Sequence, residues 1–186
     1  MTPATDELMK AAQDAAKEGK LPPVHLWNPD FCGDIDMEIK RDGTWFYEGT
    51  PIGRKPLVRL FSTILKREGD HYFLVTPVEK VGIRVEDAPF VAVDFEVSGR
   101  GPDQLITFVT NVGDHAIAGD GHAIRVDRDT TGEPSPYIHI RAGLDALIDR
   151  KSFYRLVDLG EDDGGMFGVR SGGVFFPIIP MAELEA

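Results

Sequence analysis

A single cysteine, Cys32, stands in 186 residues, so no intrachain disulfide can form and a reducing cytoplasm is the simplest compartment. No apolar run approaches the ~18 residues that would suggest a bilayer-spanning helix. Positive charge is scarce: 20 Lys and Arg face 31 Asp and Glu, a net charge of -11. Such a surface repels phosphate backbones and anionic lipid heads, which argues against nucleic acid and membrane partners. The opening MTPATDELMKAAQDAAKEGK carries acids where a secretory leader carries positive charge, so no leader is expected. Catalytic and nucleotide motifs are also lacking: there is no G-x-S-x-G elbow, no Walker loop and no G-x-G-x-x-G. Cys32 lies beside acids, an environment that does not activate a nucleophile.

What remains is an apolar content of 42%, enough to build a core in one ordinary domain or two small ones. Thr5 to Glu18 reads as a helix, with Thr5 as N-cap, Gly19 as its stop and a thin apolar face (Leu8, Met9, Ala12, Ala16) that needs a surface to lie on. Leu21 to Gly33 is broken by proline yet rich in Val24, Leu26, Trp27 and Phe31, as in an extended strap. Ile35, Met37 and Ile39 then alternate with Asp34, Asp36 and Glu38, a strand with one wet face. Arg41-Asp42-Gly43 is its turn, and Thr44 to Tyr47 the return strand. The aromatic group Trp27, Trp45, Phe46 and Tyr47 reads as core packing ahead of a stacking platform.

A helix is predicted to begin near Arg54, with Pro56 in its first turn, an apolar stripe at Leu57, Leu60, Phe61, Ile64 and Leu65, Lys66 and Arg67 at the negative end of its dipole, and Gly69 as stop. Strands are predicted at 71–76, 80–86, 90–97 and 104–110, then over 115–127 and 137–140. A short helix is predicted over Ala142 to Arg150, and strands at Phe153 to Leu159, Phe167 to Arg170 and Val174 to Ile179.

Sliding the chain by 87 positions aligns Met37 and Ile39 with Ile124 and Val126, and Arg41-Asp42 with Arg128-Asp129. The same shift places Arg54, Leu57 and Leu60 on Arg141, Leu144 and Leu147. Further on, Tyr72 to Val75 resembles Tyr154 to Val157, and Gly82-Ile83-Arg84 resembles Gly168-Val169-Arg170. The order of these matches predicts an internal duplication: an α+β fold of two similar subdomains of antiparallel strands, each with one amphipathic helix, plus the N-terminal helix. The expected parts are 1–33 (helix and strap), 34–99 (first repeat) and 100–186 (second repeat), with a join near Ser98 to Pro102.

Two clusters carry candidate chemistry. Gly53-Arg54-Lys55-Pro56 puts two cations at a helix start, where the dipole favours acids, and Arg141 takes the equivalent place in the second copy. With Arg59, Thr76, Lys80 and Arg84 these form a candidate ligand-binding set. Its competitor is a set of structural ion pairs. The second cluster, NVGDHAIAGDGH, offers Asn111, Asp114, His115, Asp120 and His122 as weak metal ligands. Its spacing matches no recognised motif, and a polar hairpin is the simpler reading.

The runs HLWNPDFCGDIDMEIKRDGTWFYEGTPIGRKPLVRLFSTIL and YFLVTPVEKVGIRVEDAPF, with the phrases DGTW, GTPI, LVRLFS and VTPVEK, resemble a bacterial family of unknown function, DUF1285, over most of the chain from about Pro23. The resemblance implies a duplicated α+β fold whose C-terminal half is similar to a pleckstrin-homology barrel. It also implies a nucleotide-like ligand at the domain interface and a role in signalling, and it brings no catalytic residues or cofactor. The expectation is a non-enzymatic cytoplasmic binding or regulatory protein holding a small anionic ligand between its repeats. A metal-dependent hydrolase built on Asp114 to His122, or a protein–protein adaptor, are the alternatives.

Overall fold

The computed structural model describes residues 3–17 and 21–184. They form two compact units, one ending at Asp87 and the other beginning at Ala88.

The first unit opens with α1 (Pro3–Ala16) and a 3-10 turn at Val24–Leu26. A first meander follows: β1 (Phe31–Ile39), β2 (Trp45–Tyr47) and β3 (Thr50–Pro51). Helix α2 (Lys55–Thr63) leads to a second meander of β4 (Leu65–Glu68), β5 (His71–Val75) and β6 (Lys80–Val85). The sheet order is β3-β2-β1-β6-β5-β4, so the meanders join through the parallel pair β1–β6, where Glu38 opposes Arg84 and Ile39 opposes Val85. Met37, Ile39, Trp45, Leu74 and Val81 are buried, and the Trp45 ring stacks on Phe61 of α2 with centroids 6.4 Å apart. Leu8 and Ala12 of α1 are fully buried, and α1 packs against α2, giving its thin apolar face the surface it requires.

The second unit repeats that topology. Its strands are β7 (Phe90–Ser98), β8 (Leu105–Thr110), β9 (His115–Ile117), β10 (Ile124–Arg128), β11 (Pro134–Arg141) and β12 (Leu144–Ile148). Their order, β10-β11-β12-β7-β8-β9, again joins two meanders through a parallel pair of first and last strands, with Ala146 opposite Phe90. Helix α3 (Arg150–Val157) and a three-stranded sheet of β13 (Glu161–Asp163), β14 (Met166–Ser171) and β15 (Val174–Pro180) follow, then α4 (Met181–Leu184). The six-stranded sheet curls into a half-barrel: β9 comes into contact with β11, and β10 with β15. Buried Ser171 links the sheets, its hydroxyl donating to the Ala118 carbonyl (2.7 Å) and accepting the Ile106 N–H (2.9 Å).

The duplication therefore holds, in a different register from a shift of 87. Equivalent first strands begin at Phe31 and Phe90, and equivalent fourth strands at Leu65 and Ile124, a much shorter displacement. The division falls at Asp87/Ala88, ahead of the join expected at Ser98 to Pro102, because β7 is the first strand of the second sheet. The 87-residue match equates one strand–turn–strand with another, β1-turn-β2 with β10-turn-β11, at different places in the order.

Four elements differ from their expected form. The stretch 142–150, predicted as a helix, holds the strand β12 instead: Leu144, Ala146 and Ile148 are buried in alternation, and Ala142-Gly143, both at positive φ, close a two-residue turn between β11 and β12. Residues 153–157 are helical where a strand was predicted. Asp149 caps α3 by accepting the Ser152 N–H (2.7 Å), and Phe153 and Leu156 are buried at helical spacing. Helix α2 stops at Thr63, short of Gly69, because the Ser62 and Thr63 hydroxyls donate to the Arg59 and Leu60 carbonyls (both 2.6 Å) while Ile64 and Leu65 pass to β5. Gly69 instead turns β4 into β5. Helix α1 starts at Pro3, ahead of Thr5, and its expected stop at Gly19 lies outside the described residues.

Candidate functional site

The candidate ligand set divides by environment. Arg54 is the N-cap of α2 in extended conformation with no side-chain cap; its carbonyl accepts the Leu57 and Val58 N–H groups. Pro56 supplies no N–H, so this helix start offers few amide donors and its character comes from side chains. Lys55 and Arg59 stand one turn apart on the same face of α2. Arg54, Lys55 and Arg59 are all exposed, and among the described residues none forms an ion pair. Like charges at this spacing cost a few tenths of a kcal/mol, and the dipole adds to the penalty, so three cations here are locally unfavourable.

Other members of the set are engaged. Thr76 is fully buried; its hydroxyl accepts the Glu79 N–H (3.0 Å) and its own N–H donates to the Glu79 carbonyl (2.8 Å), so it builds the β5–β6 turn. Lys80 donates to Glu68 (2.9 Å), which Lys66 also approaches (3.3 Å), and its ammonium lies 4.7 Å from the Phe73 ring centre. The hydrogen bond from Lys80 holds the Glu68 carboxyl below its ordinary range. Arg84 donates to Asp36 (2.7 Å), which raises the guanidinium further above its usual value. It also borders an open cleft of about 400 Å³ with Glu38, Asp70, His71, Tyr72 and Glu86, whose carboxylates make it a poor seat for an anion.

Arg141 does not start a helix. It ends β11, pairs with the Asp114 carboxylate and lies over the Phe90 ring, 5.0 Å from its centre. This contact takes one metal candidate together with one ligand candidate. Asn111 is also used structurally, its side-chain oxygen accepting the Val91 N–H (3.0 Å). His115 is exposed at the start of β9, and Asp120 sits in the turn closed by reciprocal Gly119–His122 backbone bonds (3.2 Å each). Among the described residues no group of three or more His, Cys, Asp or Glu side chains is placed to hold a metal.

The second unit does assemble a polar network that the sequence reading passed over. His122 Nδ1–H donates to the His139 carbonyl (3.0 Å), and His139 Nδ1–H donates to Asp145 (3.1 Å). Arg125 donates to the other Asp145 oxygen (2.7 Å) while its guanidinium lies 4.3 Å from the Tyr137 ring centre. The missed signal was Ala142-Gly143, a two-residue turn that pairs Arg141 with Leu144; a register shift between His139 and Arg141 then sets His139 directly across from Asp145.

Comparison with known proteins covers both units. A family model described as the N-terminal domain of a domain of unknown function (DUF1285) matches residues 22–88, and the DUF1285 C-terminal domain matches residues 89–178. The crystal structure of a DUF1285 family protein from Silicibacter pomeroyi DSS-3 is 64% identical, with a TM-score of 0.89 over 96% of this chain and 98% of that one. A DUF1285 family protein from Shewanella baltica OS155 is 33% identical, with a TM-score of 0.52 over 66% of this chain and 90% of that one. No curated protein matches. No helix among the described residues is long and apolar enough to cross a membrane.

Proposed function

We propose, for a chain that belongs to the DUF1285 family through both of its domains, a non-enzymatic binding and regulatory module of the cytoplasm that takes a small anionic, nucleotide-like ligand and serves signal transduction. The observation that carries the anion preference is the trio Arg54, Lys55 and Arg59. In a chain of net charge -11, three cations stand within six residues at the start of α2 without an ion pair among the described residues. The other arginines of the candidate set, Arg84 and Arg141, are neutralised by carboxylates of their own unit. An anion beside α2 would offset both the i, i+4 repulsion and the unfavourable dipole. It would be held by guanidinium and ammonium groups, which suits phosphate or carboxylate.

The test is a thermal-shift screen of the full chain against nucleotides, sugar phosphates and dicarboxylates. A ligand at ~100 times its dissociation constant stabilises the fold by about 2.7 kcal/mol. Arg54→Ala and Arg59→Ala each weaken that ligand's binding, and Arg84→Ala leaves it unchanged. A ligand whose affinity ignores both α2 substitutions would remove this reading.

A further inference from the structure

We propose that His122 and His139 form a two-imidazole site for a divalent transition-metal ion of the zinc, nickel or copper class. A carbonyl and a carboxylate can only accept hydrogen bonds, so both rings carry their proton on Nδ1: His122 toward the His139 carbonyl and His139 toward Asp145. In the neutral rings both Nε2 atoms then present a bare lone pair, and among the described residues neither has a hydrogen-bond partner. An Nδ1–H anchored on a carbonyl or carboxylate, with Nε2 left open, is the arrangement that fixes tautomer and raises basicity in metal-binding histidines.

The rings also stand close together. Their planes differ by 28° and their centres are 6.4 Å apart. Two imidazoles on one ion at ~2 Å metal–nitrogen distance have ring centres roughly 5–6 Å apart, a spacing close to the one observed. Imidazole nitrogen selects zinc, nickel or copper over calcium or magnesium, which prefer oxygen. Asp145 is the positioning residue, and Arg125 in turn holds Asp145 at 2.7 Å. No third side chain completes the set among the described residues, so the remaining coordination positions fall to water or an added ligand.

The experiment titrates chelator-stripped full-length protein with nickel and with zinc, read by calorimetry and by ring ¹⁵N resonances. The expected result is one ion per chain, with the Nε2 resonances of His122 and His139 moving and both Nδ1 atoms staying protonated. His122→Gln and His139→Gln each weaken binding at least about tenfold. Asp145→Asn weakens it by about 10–100-fold and shifts the His139 Nδ1–H resonance. His115→Gln changes nothing. The proposal is overturned by the absence of stoichiometric binding, by binding that survives either histidine substitution, by loss of an Nδ1 proton, or by a response confined to other histidines. The ring resonances of the unsubstituted protein decide the matter even if a variant fails to fold.

Discussion

The two units use one strand order and place their helix at different points in it. In the first, α2 lies between the third and fourth strands, inside the six-strand sequence. In the second, that position is a tight Gly119–His122 turn, and α3 comes only after the sixth strand, with a three-stranded sheet added behind it. The shared scaffold is hydrogen-bonded sheet, which tolerates almost any sequence that alternates. Each unit's unusual chemistry sits where the copies differ: the unpaired cations on α2, and His122 in the turn that replaces it. Duplication conserved the frame, and divergence occurred in the connection between the third and fourth strands.

Several substitutions would break or sharpen this comparison, and the largest effect belongs to the helices. Phe61→Ala removes the ring stacked on Trp45 and should cost roughly 3–5 kcal/mol; Leu156→Ala in α3 should cost roughly 2–5. Both tryptophans, Trp27 and Trp45, lie in the first unit, so denaturation followed by their fluorescence reports that unit. Phe61→Ala should move the fluorescence transition and Leu156→Ala mainly the circular dichroism. Coincident shifts for both variants would show the units unfolding as one.

Next come two glycines that the sequence match downstream of the 87-residue shift equates, Gly82 and Gly168. A Cβ on Gly168 would meet the Phe176 carbonyl at 2.2 Å and Pro177 Cα at 2.9 Å, both backbone, so Gly168→Ala should cost at least about 1–3 kcal/mol. A Cβ on Gly82 would meet the Asp34 carboxylate oxygen at 2.0 Å, the end of an exposed side chain free to swing away. Gly82→Ala should therefore cost less than about 1 kcal/mol. Equal losses in urea denaturation would restore the equivalence that the strand order denies.

The helix caps give a smaller contrast of opposite sign. Asp149→Ala should destabilise by about 1 kcal/mol, since it removes a real cap from α3. Arg54→Asp should stabilise the apo protein by about 0.5–1 kcal/mol while abolishing anion binding at α2. Loss of stability with Arg54→Asp would mean that the arginine supports the fold.

The smallest effect is a pH dependence at one turn aspartate in each unit. Asp42 is held below its ordinary carboxyl value of 3.8 chiefly by the Thr44 N–H, and Asp129 chiefly by the Thr131 hydroxyl. With folded values depressed, the stabilisation is fully present above 3.8 and is lost as the pH falls through the lower folded value. Melting temperatures between pH 5 and 2 should fall less steeply for Asp42→Asn and Asp129→Asn than for the parent. An unchanged slope would assign acid sensitivity to other carboxylates.

Sequence alone carried much of this architecture. The β1 alternation, the Arg41-Asp42-Gly43 turn and the buried face of α2 were all legible, because burial imposes a period that the residues must follow. The region 142–157 was not. Leu144 and Leu147 fit helical spacing, and only Leu144, Ala146 and Ile148 show the strand period, so a short segment supports both readings. Ala142 at φ 46° adds to the difficulty, since alanine seldom enters a left-handed turn and gives little warning of one. At the candidate sites, residue type said which chemistry was available, while pairing depended on strand register. Arg141 with Asp114, and His139 with Asp145, become neighbours only once β9, β11 and β12 are in place.

The parallel pairing of first with last strand has a kinetic consequence. In each unit the central pair, β1 with β6 and β7 with β12, unites the two ends of that unit's six-strand segment. Each meander can form from neighbouring residues, but the halves of a sheet cannot join until the last strand exists. On the ribosome β1 must therefore wait, its inner edge open, until Lys80–Val85 has emerged, and β7 must wait in the same way for Leu144–Ile148. Synthesis thus passes through two intervals of exposed sheet edge, one for each unit.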